Sequence, residues 1–352
     1  MKKVHKVIGL MSGTSLDGLD LAFCTFSIEA EQYKFKIDAC ETVPYDAAWK
    51  SRLADLPLKD ALTFVKTHTD YGHYVGQLVK SFVKRHDLQP DFVASHGHTI
   101  FHQPDKGLTS QIGDGAAIAA ECGLPVVCDF RTSDVAYGGQ GAPLVPIGDR
   151  LLFSEFDCCL NLGGFGNISY ELDKQRIAFD TCPVNIVLNY LAGKAGLPYD
   201  EDGKLASNGN VIPSLLERLN SLQYYHHQPP KSLGREWVEN EFLPMISTGN
   251  FSLPDLLATV TEHIAFQIAA CVPDSAVNMV VTGGGAFNKY LISKLKSHTK
   301  VELMIPPADI INYKEALIFA LLGLLRMNRI PNCLPSVTGA RNAATGGAVY
   351  MP

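Results

Sequence analysis

The sequence predicts an α/β protein built as two similar lobes, and three observations carry the prediction. Apolar β-type runs alternate with stretches of helical periodicity along the whole chain. A strand, a glycine-rich turn and a returning strand at Lys6 to Phe26 are followed about 150 residues later by the same arrangement at Phe156 to Tyr170. A third glycine turn, Gly283-Gly284-Gly285, again stands directly after a β-branched run. The recurrence is too long for a short-period repeat; it divides the 352 residues into an N-terminal lobe, 1–150, and a C-terminal lobe, 151–352, each opening with a hairpin.

In the first lobe Val7-Ile8-Gly9-Leu10-Met11 reads as a buried strand, Ser12 to Gly18 as the turn and Leu19 to Phe26 as the returning strand. Ala61 to Arg85 is helical, because Leu62, Val65, His68, Tyr71, Val75, Leu78 and Phe82 recur at three- and four-residue steps. Pro90 punctuates, and Asp91 to Ser95 is a strand running into Gly97. In the second lobe Asp157 to Leu162 is a strand, Gly163-Gly164-Phe165-Gly166 the turn and Asn167 to Leu172 the return. Leu256 to Cys271 has helical periodicity, Asn278 to Thr282 is a short strand, Asn288 to Leu295 opens a helix, and Lys314 to Met327 is a buried helix. The stretch from Leu219 to Leu253, with Pro229-Pro230 and Trp237, is the least regular and carries no functional reading.

Composition narrows the function. With 46% hydrophobic and 19% charged residues the chain buries a core and is not disordered. Thirty Lys+Arg against 36 Asp+Glu give a net charge of −6, and no Lys/Arg run exceeds two residues, so there is no footprint for nucleic acid or an anionic membrane. Nine cysteines, an odd number without a C-x-x-C pair, sit mostly in apolar runs such as Val126-Val127-Cys128, as reduced buried thiols do. The first apolar stretch is cut by Ser12, Gly13 and Thr14, too early for a signal peptide, and no run approaches the ~18–20 residues of a membrane span. The expectation is a soluble, cytoplasmic protein.

The familiar nucleotide fingerprints are missing. Gly193-Lys194 is followed by Ala195 and Gly203-Lys204 by Leu205, so no P-loop exists, and there is no G-x-G-x-x-G. Asp17 stands where a G-x-S-x-G elbow needs glycine. The Ser12 to Gly18 turn instead offers close backbone N–H groups, small hydroxyls and one acid, Asp17, able to hold Mg²⁺ directly or through water. An ordinary tight hairpin has a similar composition. Three such turns after strands, however, can line one cleft from two lobes, two facing phosphates and the third beside a base or ribose.

Six blocks carry a family resemblance. They are Gly9-Leu10-Met11-Ser12-Gly13-Thr14-Ser15-Leu16-Asp17-Gly18, Ser95-His96-Gly97-His98-Thr99-Ile100-Phe101-His102-Gln103-Pro104, Gln111-Ile112-Gly113-Asp114-Gly115, Asp129-Phe130-Arg131 with Asp134, Gly138-Gly139-Gln140-Gly141-Ala142-Pro143-Leu144, and Thr282-Gly283-Gly284-Gly285-Ala286-Phe287-Asn288. In this order the chain resembles the anhydro-N-acetylmuramic acid kinase family over essentially its whole length. The resemblance implies a two-lobed actin-like ATPase (ribonuclease-H-like) fold with the nucleotide cleft between lobes. It also implies ATP and Mg²⁺ as cofactors, a small-molecule sugar substrate and a possible homodimer. The implied reaction uses ATP and water to open the 1,6-anhydro bridge of the sugar and phosphorylate O6.

By the same resemblance the water-activating base falls on Asp180, whose other reading is a strand-end acid capping the next helix. Glu315 assists at the sugar or is simply a first-turn helix acid. ATP binding falls on Gly13, Thr14, Ser15, Leu16, Asp17, Gly18, Leu19, Asp20, Gly163, Gly164, Gly283, Gly284, Gly285 and Asn288. Substrate binding falls on His96, Gly97, Arg131, Asp134, Pro183 and Asn185, with Arg131 as a bidentate clamp for the lactyl carboxylate. Arg131 and Asp134 as a surface ion pair is the alternative. His96, His98 and His102 have a metal-like spacing, but substrate contact or loop hydrogen bonding suits them better.

The chain departs from the family in two places. Asp180-Thr181-Cys182-Pro183-Val184-Asn185 stands where the family usually has Asp-Thr-Gly-Pro-Gly-Asn, and His98 where it commonly has Gln. Two glycines replaced by Cys and Val are expected to add bulk near the sugar. That leaves a kinase of another amino sugar, or an actin- or Hsp70-like ATPase switch module, as the alternatives.

Overall fold

A computed structural model describes residues 3–30 and 32–352, and the chain divides into two compact units. The first comprises the residues up to Leu152 together with Tyr313–Pro352; the second is Phe153–Asn312.

The sheet of the first unit is built from β1 (Lys3–Ser12), β2 (Gly18–Glu29), β3 (Gln32–Pro44), β4 (Phe92–Gln103), β5 (Leu108–Ile112) and β6 (Val126–Cys128), with a C-terminal strand, Ala348–Tyr350, at its edge. Its order is Ala348–Tyr350, β6, β4, β1, β2, β3, with β5 hairpinned onto β4. β1 pairs antiparallel with β2 and parallel with β4. Val7, Ile8 and Leu10 are fully buried, as a central strand covered on both faces requires. The helix Ala61–Arg85 forms at its predicted limits, capped by Asp60, and lays Tyr71, Val75, Val79 and Phe82 on that core.

The second unit repeats the plan with β7 (Cys158–Leu162), β8 (Phe165–Leu172), β9 (Gln175–Pro183), β10 (Asn278–Thr282) and β11 (Glu302–Met304), in the order β11-β10-β7-β8-β9. The pairings match strand for strand: β7 with β8 and β8 with β9 antiparallel, β7 with β10 and β10 with β11 parallel. The long helix Leu253–Ala270 supplies Leu257, Val260, Ile264 and Ile268 to its core. The duplication expected from the two hairpins is therefore a duplication of whole sheets.

The expected boundary at 151–352 does not hold at its C-terminal end, because Tyr313–Pro352 belongs to the first unit. Ala348–Tyr350 pairs with β6, and the helix Ala308–Met327 lies so close to β1 that a Cβ on Gly9 would run into the Ala316 carbonyl. That helix begins at Ala308, before the predicted Lys314. Among the described residues no helix is long and apolar enough to cross a membrane, and no cysteine is in a disulfide.

Candidate functional site

The β1–β2 turn ends a buried strand and opens to solvent. Thr14, Ser15 and Asp17 are exposed, and their side chains have no partner among the described residues. The turn closes through Leu16 N donating to the Gly13 carbonyl at 3.3 Å, with Leu16 in the left-handed region at φ 60° and its side chain against the core. Free hydroxyls and a free carboxylate are hard oxygen ligands of the kind that suit Mg²⁺ and phosphate. Gly18 and Leu19, by contrast, are buried in β2, where a Cβ at Gly18 would meet the Val43 backbone. Their side of the turn holds the hairpin by packing on β3. Asp20 accepts from Thr42 Oγ1 at 2.6 Å; burial raises its carboxyl, the Thr42 bond opposes this, and the Asp17 charge adds to the rise.

Glu315 stands on the helix Ala308–Met327 in the same unit. Solvent reaches it, yet crowding by protein desolvates the carboxylate and raises its pKa; Asp20 adds to the rise, while Arg131 and Lys314 oppose it. Lys314 itself is buried against Asp149 at 2.7 Å.

Arg131, after β6, is the best-held cation of this unit. Its Nε and Nη2 donate to His96 Nε2 at 3.1 and 2.9 Å, and Nη1 donates to the Gly141 carbonyl at 2.6 Å. His96 Nε2 must therefore carry a lone pair, so its proton sits on Nδ1, which donates to the Gly97 carbonyl at 2.9 Å. Burial and the Arg131 charge push the His96 pKa well down, which keeps the ring neutral. Asp134 completes the support: its Oδ2 accepts from Gly141 N and its Oδ1 from Thr338 Oγ1, both at 2.8 Å. Asp134 is 0% and His96 4% exposed, and Gly97 is buried at φ 75°. They hold Arg131, whose remaining N–H groups are the ones left for a ligand. Neither Arg131 nor Asp134 forms the surface pair considered as an alternative.

Gly97 has a second effect. The left-handed residue shifts the β1–β4 register so that Ser12 faces His98, and Ser12 Oγ lies 2.8 Å from His98 Nδ1 and 2.6 Å from the Tyr45 hydroxyl. The His98 pKa is pushed down to about 4 by burial, so this histidine also is neutral.

In the second unit Asp180 lies on β9 beside a register shift: Gly166 pairs with Cys182 and Asn167 with Asp180, leaving Thr181 as the extra residue. Bulges of this kind re-aim side chains next to functional sites. Leu233 N donates to Asp180 Oδ2 at 2.8 Å, and Oδ1 accepts nothing from the described residues. Burial raises the Asp180 carboxyl and the Leu233 bond partly opposes it. It does not cap the following helix Asn185–Gly193, whose N-cap is Val184.

The β7–β8 turn is stitched to that helix: Val184 N donates to the Gly164 carbonyl at 2.8 Å, and Asn185 Nδ2 to the Leu162 carbonyl at 2.9 Å. Pro183 is buried opposite Phe165 and offers no surface to a substrate, whereas Asn185 is partly exposed. Cys182 and Val184 are both 0% exposed within the core of this unit, so the expected extra bulk points away from any ligand. In the third turn, Gly283 has φ 79° and no room for a Cβ beside Asn161 and Leu162, and Gly285 packs on Leu162, while Gly284 is exposed. Asn288 Oδ1 caps the helix Lys289–His298 by accepting from Leu291 N at 3.0 Å, which accounts for it without a nucleotide.

Sequence reasoning missed the segment that reaches Asp180. Lys231 O accepts from Asp180 N at 3.2 Å and the Tyr224 hydroxyl donates to the Asp180 carbonyl at 2.6 Å, both from the stretch that had no functional reading. The sole hint was its pair of prolines followed by aromatic residues.

A sheet order repeated in two units, each led by an antiparallel hairpin with a glycine turn, is the ribonuclease-H-like arrangement of the actin-like ATPases and sugar kinases. Comparison with known proteins narrows this class. A family model described as "Anhydro-N-acetylmuramic acid kinase" matches residues 5–352. Relatives bearing that name are 31% identical in Microcystis aeruginosa over 98% of this chain and 99% of the relative, and 34% identical in Methylorubrum populi over 99% and 100%. Among solved structures, the gluconate kinase of Lactobacillus acidophilus aligns at TM-score 0.46 and 12% identity over 99% of this chain and 94% of that one. The chain belongs to the anhydro-N-acetylmuramic acid kinase family.

Proposed function

We propose that this protein uses ATP and water to open the 1,6-anhydro bridge of anhydro-N-acetylmuramic acid and phosphorylate O6, giving N-acetylmuramic acid 6-phosphate and ADP in the recycling of cell-wall amino sugar. The observation that carries the reading is Asp180: a carboxylate raised by burial, fixed through one oxygen and free at the other, in a chain of this family. A base with a pKa above the usual carboxylate range is a stronger proton acceptor once ionised.

In the proposed reaction Asp180 Oδ1 takes a proton from a water that attacks C1. The C1–O6 bond breaks, C1 keeps the hydroxyl, and O6 becomes the nucleophile toward the γ-phosphorus, whose bond to the ADP oxygen then breaks. Arg131, held by His96 and Gly141, presents its free N–H groups to the lactyl carboxylate. Glu315 sits at the sugar, balanced between Arg131 and Asp20. In the first unit the open backbone of Gly13 and the hydroxyls of Thr14 and Ser15 are the groups offered to the phosphates of the nucleotide. Asp17 and Asp20 are the oxygen ligands for Mg²⁺, which when bound neutralises charge on the phosphates.

The burial of Cys182 and Val184 favours the family's own sugar over another amino sugar, because neither side chain intrudes on a ligand. Nine cysteines outside any disulfide favour a reducing compartment such as the cytoplasm. The test is ADP release with Mg²⁺-ATP across anhydro-N-acetylmuramic acid, N-acetylglucosamine and glucose. The first alone is expected to stimulate release; equal release with all three, or with none, would reject the assignment and favour the switch-module alternative.

A further inference from the structure

The least regular part of the second unit is also the part that grips its acid. Between the helix Pro213–Asn220 and the short helix Arg235–Trp237 the chain runs as a strap past the end of β9. It makes three hydrogen bonds to a single residue: Asp180 N to Lys231 O at 3.2 Å, Tyr224 Oη to Asp180 O at 2.6 Å, and Leu233 N to Asp180 Oδ2 at 2.8 Å. The first two hold the backbone and the third holds the carboxylate. The strap is itself fixed by packing, with the Tyr224 ring 5.5 Å from Trp237 and Lys231 Nζ 4.9 Å over the Tyr224 ring.

We propose that the strap Tyr224–Leu233 is the positioning element of the base, the Leu233 N–H locking Asp180 Oδ2 and Tyr224 locking the Asp180 carbonyl so that Oδ1 alone is turned toward water. This rests on the assignment of Asp180 as the base. A peptide N–H suits the task because it has one fixed direction and no proton to give up. A donor side chain such as Arg would hold the oxygen equally well but would depress the carboxyl and weaken the base. Here the opposition is mild: burial dominates, and the Leu233 bond only moderates it. The other titratable or charged groups around Asp180 are Tyr224 and Lys231 of the strap, Cys182 of its own strand and Cys271 beyond the helix Leu253–Ala270. Tyr224 and both thiols are pushed upward, chiefly by burial, and stay neutral donors; Lys231 is the cation among them.

The consequence is readable in pH profiles of the purified full chain with Mg²⁺-ATP and anhydro-N-acetylmuramic acid. Leu233→Pro removes the donor, so kcat is expected to fall about tenfold or more, as for other hydrogen bonds to charged groups, with both KM values within about twofold. The acidic limb of kcat moves to higher pH, because losing a bond to the ionised form raises the pKa of the base. Leu233→Ala, which keeps the N–H, keeps the limb in place. Tyr224→Phe preserves the ring packing and is expected to lower kcat several-fold at an unchanged melting temperature. An acidic limb in Leu233→Pro identical to wild type overturns the proposal, as does a Tyr224→Phe variant with wild-type kcat if Leu233→Pro fails to fold. Asp180→Asn run alongside separates the two claims: full activity there rejects the base itself, whereas an inactive Asp180→Asn with an unmoved limb in Leu233→Pro rejects only the strap.

Discussion

Arg131 in the first unit and Asp180 in the second are held in opposite ways. The guanidinium is gripped by His96 and the Gly141 carbonyl, and these are braced by Gly97, Asp134 and Thr338. The carboxylate has one backbone donor on one oxygen and, among the described residues, nothing on the other. The two units share a sheet plan, but the two groups stand at different places in it, Arg131 after β6 and Asp180 on β9. A group that only has to bind gains from saturating its partners, since each fixed donor shortens the search for the ligand. A group that must exchange a proton has to keep a lone pair unengaged and a pKa that is not driven down.

The sharpest way to break this contrast is Asp180→Asn, which keeps shape and loses basicity. It should lower kcat by about 10²- to 10⁴-fold, the range of a general base, while sugar affinity measured by calorimetry stays within a few-fold. A retained kcat would mean that the exposed lone pair has no role. Next is Arg131→Ala, expected to raise the KM for the sugar by about 10- to 100-fold, the worth of a charge-assisted bond, with a smaller change in kcat. Arg131→Lys should not restore it, because an ammonium cannot span His96 Nε2 and the Gly141 carbonyl as a planar fork does.

Two further outcomes concern the frame. Gly9→Ala forces a methyl into the Ala316 carbonyl and is expected to destabilise the first unit by about 1–3 kcal/mol in a denaturant titration. The smallest effect is the pH dependence from His98. Its folded pKa of about 4 lies below the ordinary 6.5, so its stabilising contribution is complete above 6.5 and is lost as pH falls from there toward 4. His98→Gln removes that titration, and its melting temperature should decline less steeply than wild type over the same interval.

Legibility in the sequence followed the range of the interactions. The β1 hairpin, the helix Ala61–Arg85 and the strand Asn278–Thr282 were readable because their patterns are local. β3 was not read as a strand: lysines and acids alternate along an edge whose outer face meets water. The motifs singled out Arg131 and Asp180, but the burial of Asp134, His96 and Pro183 was not legible, since a motif does not say which member is exposed and which is buried behind it. The strap was illegible for a plainer reason. Its contact with Asp180 joins residues more than 40 positions apart through backbone atoms, and a backbone N–H leaves no mark in the residue types.

The most direct test of the account is a stoichiometric measurement with wild-type protein, Mg²⁺-ATP and anhydro-N-acetylmuramic acid, quantifying ADP and the sugar product together. One phosphorylated reducing sugar is expected for each ADP, with neither formed when either substrate is omitted. ADP released without the sugar, or a phosphorylated product that still carries its anhydro bridge, would contradict it.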